Sequence, residues 1–349
     1  MSLRAFYDED VPAGALDGET VAVIGYGIQG RAQALTLRDA GVAVVVGNRD
    51  DDYRRQAAAD GFEVVDVGEA VDRGSIVLLL VPDEVQPAIY RQQVAAHLAA
   101  GDALVFAHGF AVRYGLIAPP ADVDLLLLAP RLPGTYLRRR YLEGWGVPAF
   151  VAVERDASGA AWRRLLGLAG ALGITRCAAL EGDFALETEL DHFSEHVTLP
   201  LIFRALELAF DVLTAAGYPP EAALMELHGS GELGQVLAAA AEEGLYGMIA
   251  SHASPACQVG MAHHWDDAAG DAEEARRRMA RALAAIRDGR FARHLLAEQE
   301  AGYPELRRWR EGRPQTLAEA EKRLRRLLRP PASAGGSRSA PRQPPRPAT

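Results

Sequence analysis

The 349-residue sequence is poor in cysteine, with only Cys177 and Cys257. Two thiols cannot build a disulfide framework, so a reducing, intracellular compartment is the expected setting. Positive charge is also in deficit. The formal net charge is −10, which argues against a nucleic-acid partner, because phosphate binding requires a basic face. No apolar stretch reaches the roughly 18–20 residues needed to cross a bilayer. The opening MSLRAFYDEDVPAGAL lacks the basic start and apolar run of a signal peptide, and no internal repeat is visible. These absences leave a cytoplasmic protein acting on a small molecule, with neither nucleic acid nor membrane as partner.

What is present divides the chain in two. Apolar runs at 21–24, 44–46, 76–81, 103–106, 125–128 and 150–153 have strand length and the near-continuous character of strands buried on both faces. Helical patterns at 31–40, 86–99 and 160–172 separate them. Alternating strand and helix predicts an α/β Rossmann-type domain with a parallel sheet over residues 1–182. From 183 to 329 β-type runs nearly vanish, and helical patterns at 199–216, 221–243, 272–288 and 317–328 predict an all-α domain. Gly217 stops the first of these and Pro220 opens the next. The tail 330–349 is rich in Pro, Ser, Gly and Arg without periodicity, and is expected to be disordered.

The strongest local signal is the run 21–30, in which Gly25, Gly27 and Gly30 form G-x-G-x-x-G between a strand and a helix. The first glycine permits a tight turn, the second a close pyrophosphate, and the third close helix–strand packing. Inside a complete βαβ unit this predicts a dinucleotide site. The second strand ends in Gly47-Asn48-Arg49-Asp50-Asp51-Asp52-Tyr53-Arg54-Arg55. Acids at this place accept hydrogen bonds from free ribose hydroxyls and repel a 2′-phosphate. Asp51 and Asp52 therefore favour NADH over NADPH. Arg49, Arg54 and Arg55 could still clasp a phosphate, and the alternative to both is an Asp-rich turn with no ligand role.

The residues FYDED, VAVIGYGIQGRAQALTLRDAGVAVVVGNR, VPDEVQ, FAHGF, DVDLLLLAPRLPG, ETELDHFSEH, AGYPPEAALMELH and DGRFARHLLAEQEAGYPEL occur in this order along the chain. Over residues 5–328 the sequence resembles the ketol-acid reductoisomerase family in its short form. The resemblance implies a magnesium-dependent alkyl migration in a 2-acetohydroxy acid, followed by reduction with NAD(P)H to a 2,3-dihydroxy acid. It places Tyr26, Gly27, Ile28, Gln29, Arg49, Asp83, Glu84, Val85, Gln86 and Gly134 at the cofactor. It makes His108 the catalytic histidine, at a strand's carboxyl end where ligands of open α/β sheets bind. Asp191 and Glu195, spaced i,i+4 as on one helix face, match the first metal pair, Glu226 a further carboxylate, and Ser251 a substrate contact. A homodimer or higher homo-oligomer is implied as well.

The chain departs from the family at three places. Arg131 stands where the family carries lysine; arginine stays charged and is a poor proton shuttle, though it can orient a carboxylate or stabilise an oxyanion. Ser230 replaces a glutamate four residues after Glu226. The stretch after Ser251, with His252, Cys257, His263 and His264, has lost much of the pattern. These changes place the migration in doubt more than the hydride transfer, and suggest a different substrate. Other readings are a keto-acid or imine reductase without isomerase activity and a cofactor-binding regulator without catalysis. A metallopeptidase is a fourth, because His192-Phe193-Ser194-Glu195-His196 fits H-x-x-E-H.

Overall fold

Nine strands build one sheet in the computed structural model, which describes residues 3–268, 270–312 and 314–328. They are β1 (Ala5–Phe6), β2 (Thr20–Ile24), β3 (Ala43–Gly47), β4 (Val64–Val65), β5 (Ile76–Leu79), β6 (Ala103–Phe106), β7 (Asp124–Pro130), β8 (Ala149–Arg155) and β9 (Ala179–Glu181). The spatial order is β1-β9-β8-β7-β6-β5-β2-β3-β4. From β4 to β7 every pairing is parallel, as the unbroken apolar runs predict. The parallel run ends at β8, which pairs antiparallel with β7, and β1 adds an antiparallel edge. Strand order reverses at β2, whose carboxyl end carries the glycine-rich turn. That crevice is where such sheets bind ligands.

The core lies on both faces of the sheet. One face packs Val21, Val23, Ile76, Leu78, Val105, Leu126 and Leu128 under the helices Ile28–Asp39 and Ala161–Ala171. The other packs Ala22, Ile24, Val77, Leu79, Leu104 and Phe106. Because successive side chains of a strand alternate in direction, both sets must be apolar, hence the continuous runs.

Two compact units interleave along the chain. The first comprises residues up to 196 together with Met279–Gly302; the second takes Val197–Arg278 and the chain from Tyr303. Residues 183–196, on the helical side of the division expected at 182/183, thus belong to the first unit. The second unit is helical and buries Phe210, Ala223, Leu224, Ala320 and Leu324 together. Its pattern at 221–243 is not one helix. Pro220–Leu224 runs into a π-helical turn, Met225–Gly229, and a new helix, Glu232–Glu243, starts after Gly231 at φ +84°. The pattern at 86–99 likewise breaks, passing from Gln86–Ile89 into a π-helical turn at Tyr90–Val94. Among the described residues no helix is long and apolar enough to cross a membrane. The tail expected to be disordered, 330–349, lies outside the described residues.

Candidate active site

The glycine-rich turn has the shape that a pyrophosphate requires. Gly25 sits at φ +92°, a conformation L side chains rarely adopt. A Cβ on Gly30 would lie 1.9 Å from the Gly25 carbonyl oxygen, so only glycine lets the helix approach its strand. Gly27 caps the helix Ile28–Asp39 without a side-chain hydrogen bond, and a Cβ there would meet nothing within 4 Å. An uncapped helix N-terminus with room beside it is what an anion site requires. Gly134, the first residue of the helix Gly134–Leu142, lies so near that its Cβ would touch the Ile28 carbonyl oxygen at 2.2 Å. Gln29 ties the same surfaces by donating to the Leu132 carbonyl at 3.2 Å. Ile28 is exposed. Tyr26 is buried against Phe62, and its hydroxyl donates to Asp60, so its side chain serves the core.

After β3 every arginine has an aspartate partner. Asp51 caps the helix Asp52–Ala59, accepting from the backbone N–H groups of Tyr53 and Arg54 and from Asn48, and its second oxygen accepts from Arg49 at 2.8 Å. Burial would raise its pKa, but these donors hold the carboxyl below the ordinary value. Arg55 pairs with Asp52 at 2.5 Å and lies 3.8 Å from Asp50. Arg54 bonds Asp66 and the Asn48 carbonyl, clamping the end of β3. Asp50 is the most open acid of the run, with 91% of its side chain exposed.

Three neighbouring parallel strands deliver the reactive groups from their carboxyl ends: Asp83 follows β5, His108 follows β6 and Arg131 follows β7. The helix Phe184–Phe193, capped by Asp183, supplies Glu187 and Asp191. A Cβ on Gly109 would lie 2.6 Å from the Phe184 carbonyl oxygen. Only glycine permits this packing, and it lets the Gly109 N–H donate to Glu187 Oε2 at 2.7 Å. Arg131 spans two carboxylates, donating from one guanidinium nitrogen to Glu187 Oε1 at 2.6 Å and from the other to Asp191 Oδ1 at 2.7 Å. Its Nε donates to the Ala129 carbonyl, so the fork is held in one orientation.

His108 Nδ1 lies 2.8 Å from Asp83 Oδ2. Its Nε2 has no hydrogen-bond partner; the nearest acids are Asp191 Oδ2 at 3.5 Å and Glu187 Oε2 at 4.0 Å. Burial alone would lower the imidazole pKa. The hydrogen bond and charge of Asp83, helped by Glu187 and Asp191, outweigh it and push the value up to about 9. The surrounding carboxylates therefore favour the imidazolium, with Nε2 on the side of Asp191 and Glu187. Glu187 has no exposed surface, and burial raises its pKa against the opposing charges of His108 and Arg131.

The oxygen donors fit one hard cation. Glu195, in the π-helical turn Ser194–Thr198, has no hydrogen-bond or ion-pair partner among the described residues. Its pKa is raised by desolvation and then by the charge of Asp191, a strain that a bound cation would relieve. Asp191 keeps Oδ2 free of hydrogen bonds. His108, Glu187 and Asp191 each also offer an atom within 4.8 Å of the others. Both Glu187 oxygens are engaged, however, and an imidazole is a poor magnesium ligand. That leaves the trio as a charge network and Asp191 with Glu195 as the pair that could hold a metal. Glu226 and Ser251 lie in the second unit. Glu226 is exposed within its π-helical turn, and the Ser251 hydroxyl bonds Glu243, which also pairs with His252. Ser230 is exposed, its hydroxyl accepting from the Glu232 N–H.

The zinc-peptidase reading fails on this geometry. The rings of His192 and His196 stack at 4.7 Å, both beside Phe291. Neither joins a metal-competent group among the described residues. Glu187 and the Asp83–His108 pair were not picked out as catalytic parts from the sequence. The available signal was that Glu187 stands four residues before Asp191, one turn away on the same helix.

Comparison with known proteins identifies the family. The family model described as acetohydroxy acid isomeroreductase, NADPH-binding domain, matches residues 15–178, and that of the ketol-acid reductoisomerase C-terminal domain matches 184–329. The ketol-acid reductoisomerase (NADP(+)) of Methanocaldococcus jannaschii is 39% identical over 328 residues, covering 93% of this chain and 98% of that protein. The one from Renibacterium salmoninarum is 41% identical over 331 residues, covering 93% and 94%. Among solved structures, an NADH-preferring ketol-acid reductoisomerase from an uncultured archaeon superposes with a TM-score of 0.88 at 37% identity, over 94% of this chain and 99% of that one. The chain therefore belongs to the ketol-acid reductoisomerase family and is an NAD(P)H-dependent oxidoreductase of that type.

Proposed function

We propose that the protein reduces a 2-keto acid of the kind formed by isomerising a 2-acetohydroxy acid, and that the preceding alkyl migration is the weakened half of its chemistry. The observation that carries this reading is the Arg131 fork, committed to Glu187 and Asp191 at 2.6 and 2.7 Å. Reduction of a carbonyl needs a positioned substrate and a proton donor. His108 supplies the donor: its Nε2 proton goes to the developing alkoxide oxygen, and Asp83 holds the opposite nitrogen. The reduced nicotinamide, when bound, would supply the hydride, and Asp191 with Glu195 would hold a magnesium ion, whose chemistry there would be to polarise the substrate oxygens.

Migration also requires a group that takes the proton of the tertiary alcohol. Arg131 cannot readily do so, since a guanidinium remains protonated. No lysine replaces it in the first unit, because the single lysine of the sequence, Lys322, belongs to the second. Ser230 offers no carboxylate either. Arg131→Lys combined with Ser230→Glu is expected to raise 2-acetolactate conversion relative to reduction of the isomerised ketone. Mass-spectrometric product analysis with and without magnesium checks this; an unchanged ratio counts against the reading.

The cofactor assignment is NADH in preference to NADPH. Arg49 and Arg55 must each leave an aspartate to hold a 2′-phosphate. A like-charge contact that the bound nucleotide buries at Asp50 or Asp52 costs on the order of 1–3 kcal/mol, enough for at least several-fold in kcat/KM. The curated relatives above carry NADP(+) in their names, so equal use of both cofactors, or an NADPH preference, would overturn this. We also read the protein as a cytoplasmic homodimer or higher homo-oligomer. The helix Leu199–Ala215 exposes Leu201, Phe203, Leu208 and Val212, an apolar surface suited to a second copy.

A further inference from the structure

We infer that Asp83 is a positioning residue for His108, and that the row Gln86–Asp83–His108 fixes which imidazole nitrogen faces the substrate. The inference rests on the proposed role of His108 as proton donor. It differs from the resemblance, which places Asp83 with the cofactor.

Register sets up the contact. β5 and β6 are parallel neighbours, with Leu79 opposite Phe106. The loop after β5 and the turn after β6 therefore leave the sheet side by side, and a residue four places past Leu79 meets one two places past Phe106. Asp83 Oδ2 reaches His108 Nδ1 at 2.8 Å, while Gln86 Nε2 donates to Asp83 Oδ1 at 3.1 Å and to the Val81 carbonyl at 2.9 Å. Gln86 is buried, with 3% of its surface exposed, so its amide is a fixed support for the carboxylate. Both Asp83 oxygens are thus engaged within the row. The carboxylate accepts the Nδ1 proton, which turns Nε2 towards Asp191 and Glu187. A base or acid oriented by a third group in this way is the usual construction of a catalytic dyad. Without the acceptor the ring can turn, or present the unprotonated nitrogen to the substrate.

The test uses the full chain, a simple 2-keto acid and NADH. Asp83→Asn is nearly isosteric but removes the carboxylate charge that supports the imidazolium, and its amide can donate to Nδ1, leaving the ring neutral and a weaker proton donor. It is expected to lower kcat by at least about tenfold, the scale for losing a group that orients an imidazole. The nucleotide Kd should stay within about threefold, less than about 0.7 kcal/mol. In a His108→Ala background the same substitution should have little further effect, because the two residues act as a unit. Three results overturn the inference: a weakened nucleotide Kd with kcat preserved, which makes Asp83 a cofactor ligand; additive losses; or no kinetic effect. If Asp83→Asn does not fold, Gln86→Leu decides instead. A kcat loss that disappears in the His108→Ala background supports the row, whereas loss of nucleotide affinity alone overturns it. Near-normal turnover by His108→Ala itself would instead refute the donor role on which the inference rests.

Discussion

His108→Ala is expected to lower turnover by about 10²-fold or more, the scale for a positioned acid or base, while nucleotide binding stays intact. The separation follows from the architecture. The proposed pyrophosphate cradle is formed by Gly25, Gly27, Gly30 and Gly134 around the end of β2. His108 belongs to the turn after β6, where its contacts are Asp83, Asp191, Glu187 and the edge of His192. Removing the imidazole takes the proton donor from the site and leaves the cradle unchanged. The pH dependence supplies a second check. Because the folded-state pKa is raised to about 9, the donor is fully protonated at neutral pH and is lost as pH rises through that value. Keto-acid reduction by the unaltered protein should decline there, and the residual activity of the variant should not show that decline. A variant with near-normal turnover would make His108 a structural residue.

Arg164→Ala should produce a large effect of another kind. Arg164 crosses the amino ends of the strands, away from the site. It bonds Glu19 at 2.8 Å, the Gly101 carbonyl at 2.6 Å and Asp124 Oδ2 at 3.2 Å. Those three partners lie just before β2, just before β6 and at the start of β7, so one guanidinium joins three strands. Asp124 is completely buried and Glu19 has 7% of its side chain exposed. Removing one partner of a buried ion pair leaves an uncompensated charge and costs about 3–5 kcal/mol. The lower end is expected here, because Arg163 stays 3.2 Å from Glu19 and Asp124 keeps its bonds from Ala157 and Ser158.

Burial alone would raise the Glu19 pKa. Bonds from Arg164 and Ser75, with the charges of Arg164 and Arg163, hold it below 4.5. Its stabilising contribution is therefore present above that pH and is lost as pH falls through the folded-state value. Urea unfolding at neutral and acid pH checks the effect: the difference in midpoint should be large at neutral pH and shrink in acid, with kcat unaffected below the unfolding transition. Equal midpoints at neutral pH would contradict it.

The parts of the molecule legible in the sequence are those whose cause is local. The run 103–106 coincides with β6 because a strand covered on both faces must be apolar throughout. β1, β4 and β9 are two or three residues long, too short for any run to register. The helix expected over 221–243 breaks where Gly231 takes a positive φ, although Gly229-Ser230-Gly231 already carried the signal of a breaker. In the site, the glycine-rich turn is a property of six consecutive residues and could be read directly. Glu187 could not. Its partners Arg131 and Gly109 are 56 and 78 residues away in sequence, joined only when β6, β7 and the helix Phe184–Phe193 assemble. The Asp83–His108 contact spans 25 residues and depends on the register of β5 against β6. Arg131 was visible as a departure from the family; that its fork closes on two carboxylates needed the fold.

The central claim, that reduction has outlived isomerisation, is tested most directly by giving the purified protein two substrates in parallel under saturating NADH and magnesium. One is 2-acetolactate, and the other is the 3-hydroxy-2-keto acid that its isomerisation yields. The account expects the isomerised ketone to be reduced faster by at least about tenfold, equivalent to about 1.4 kcal/mol in the barrier. If 2-acetolactate is converted as fast as the isomerised ketone is reduced, Arg131 and Ser230 are compatible with the full reaction and the claim is wrong.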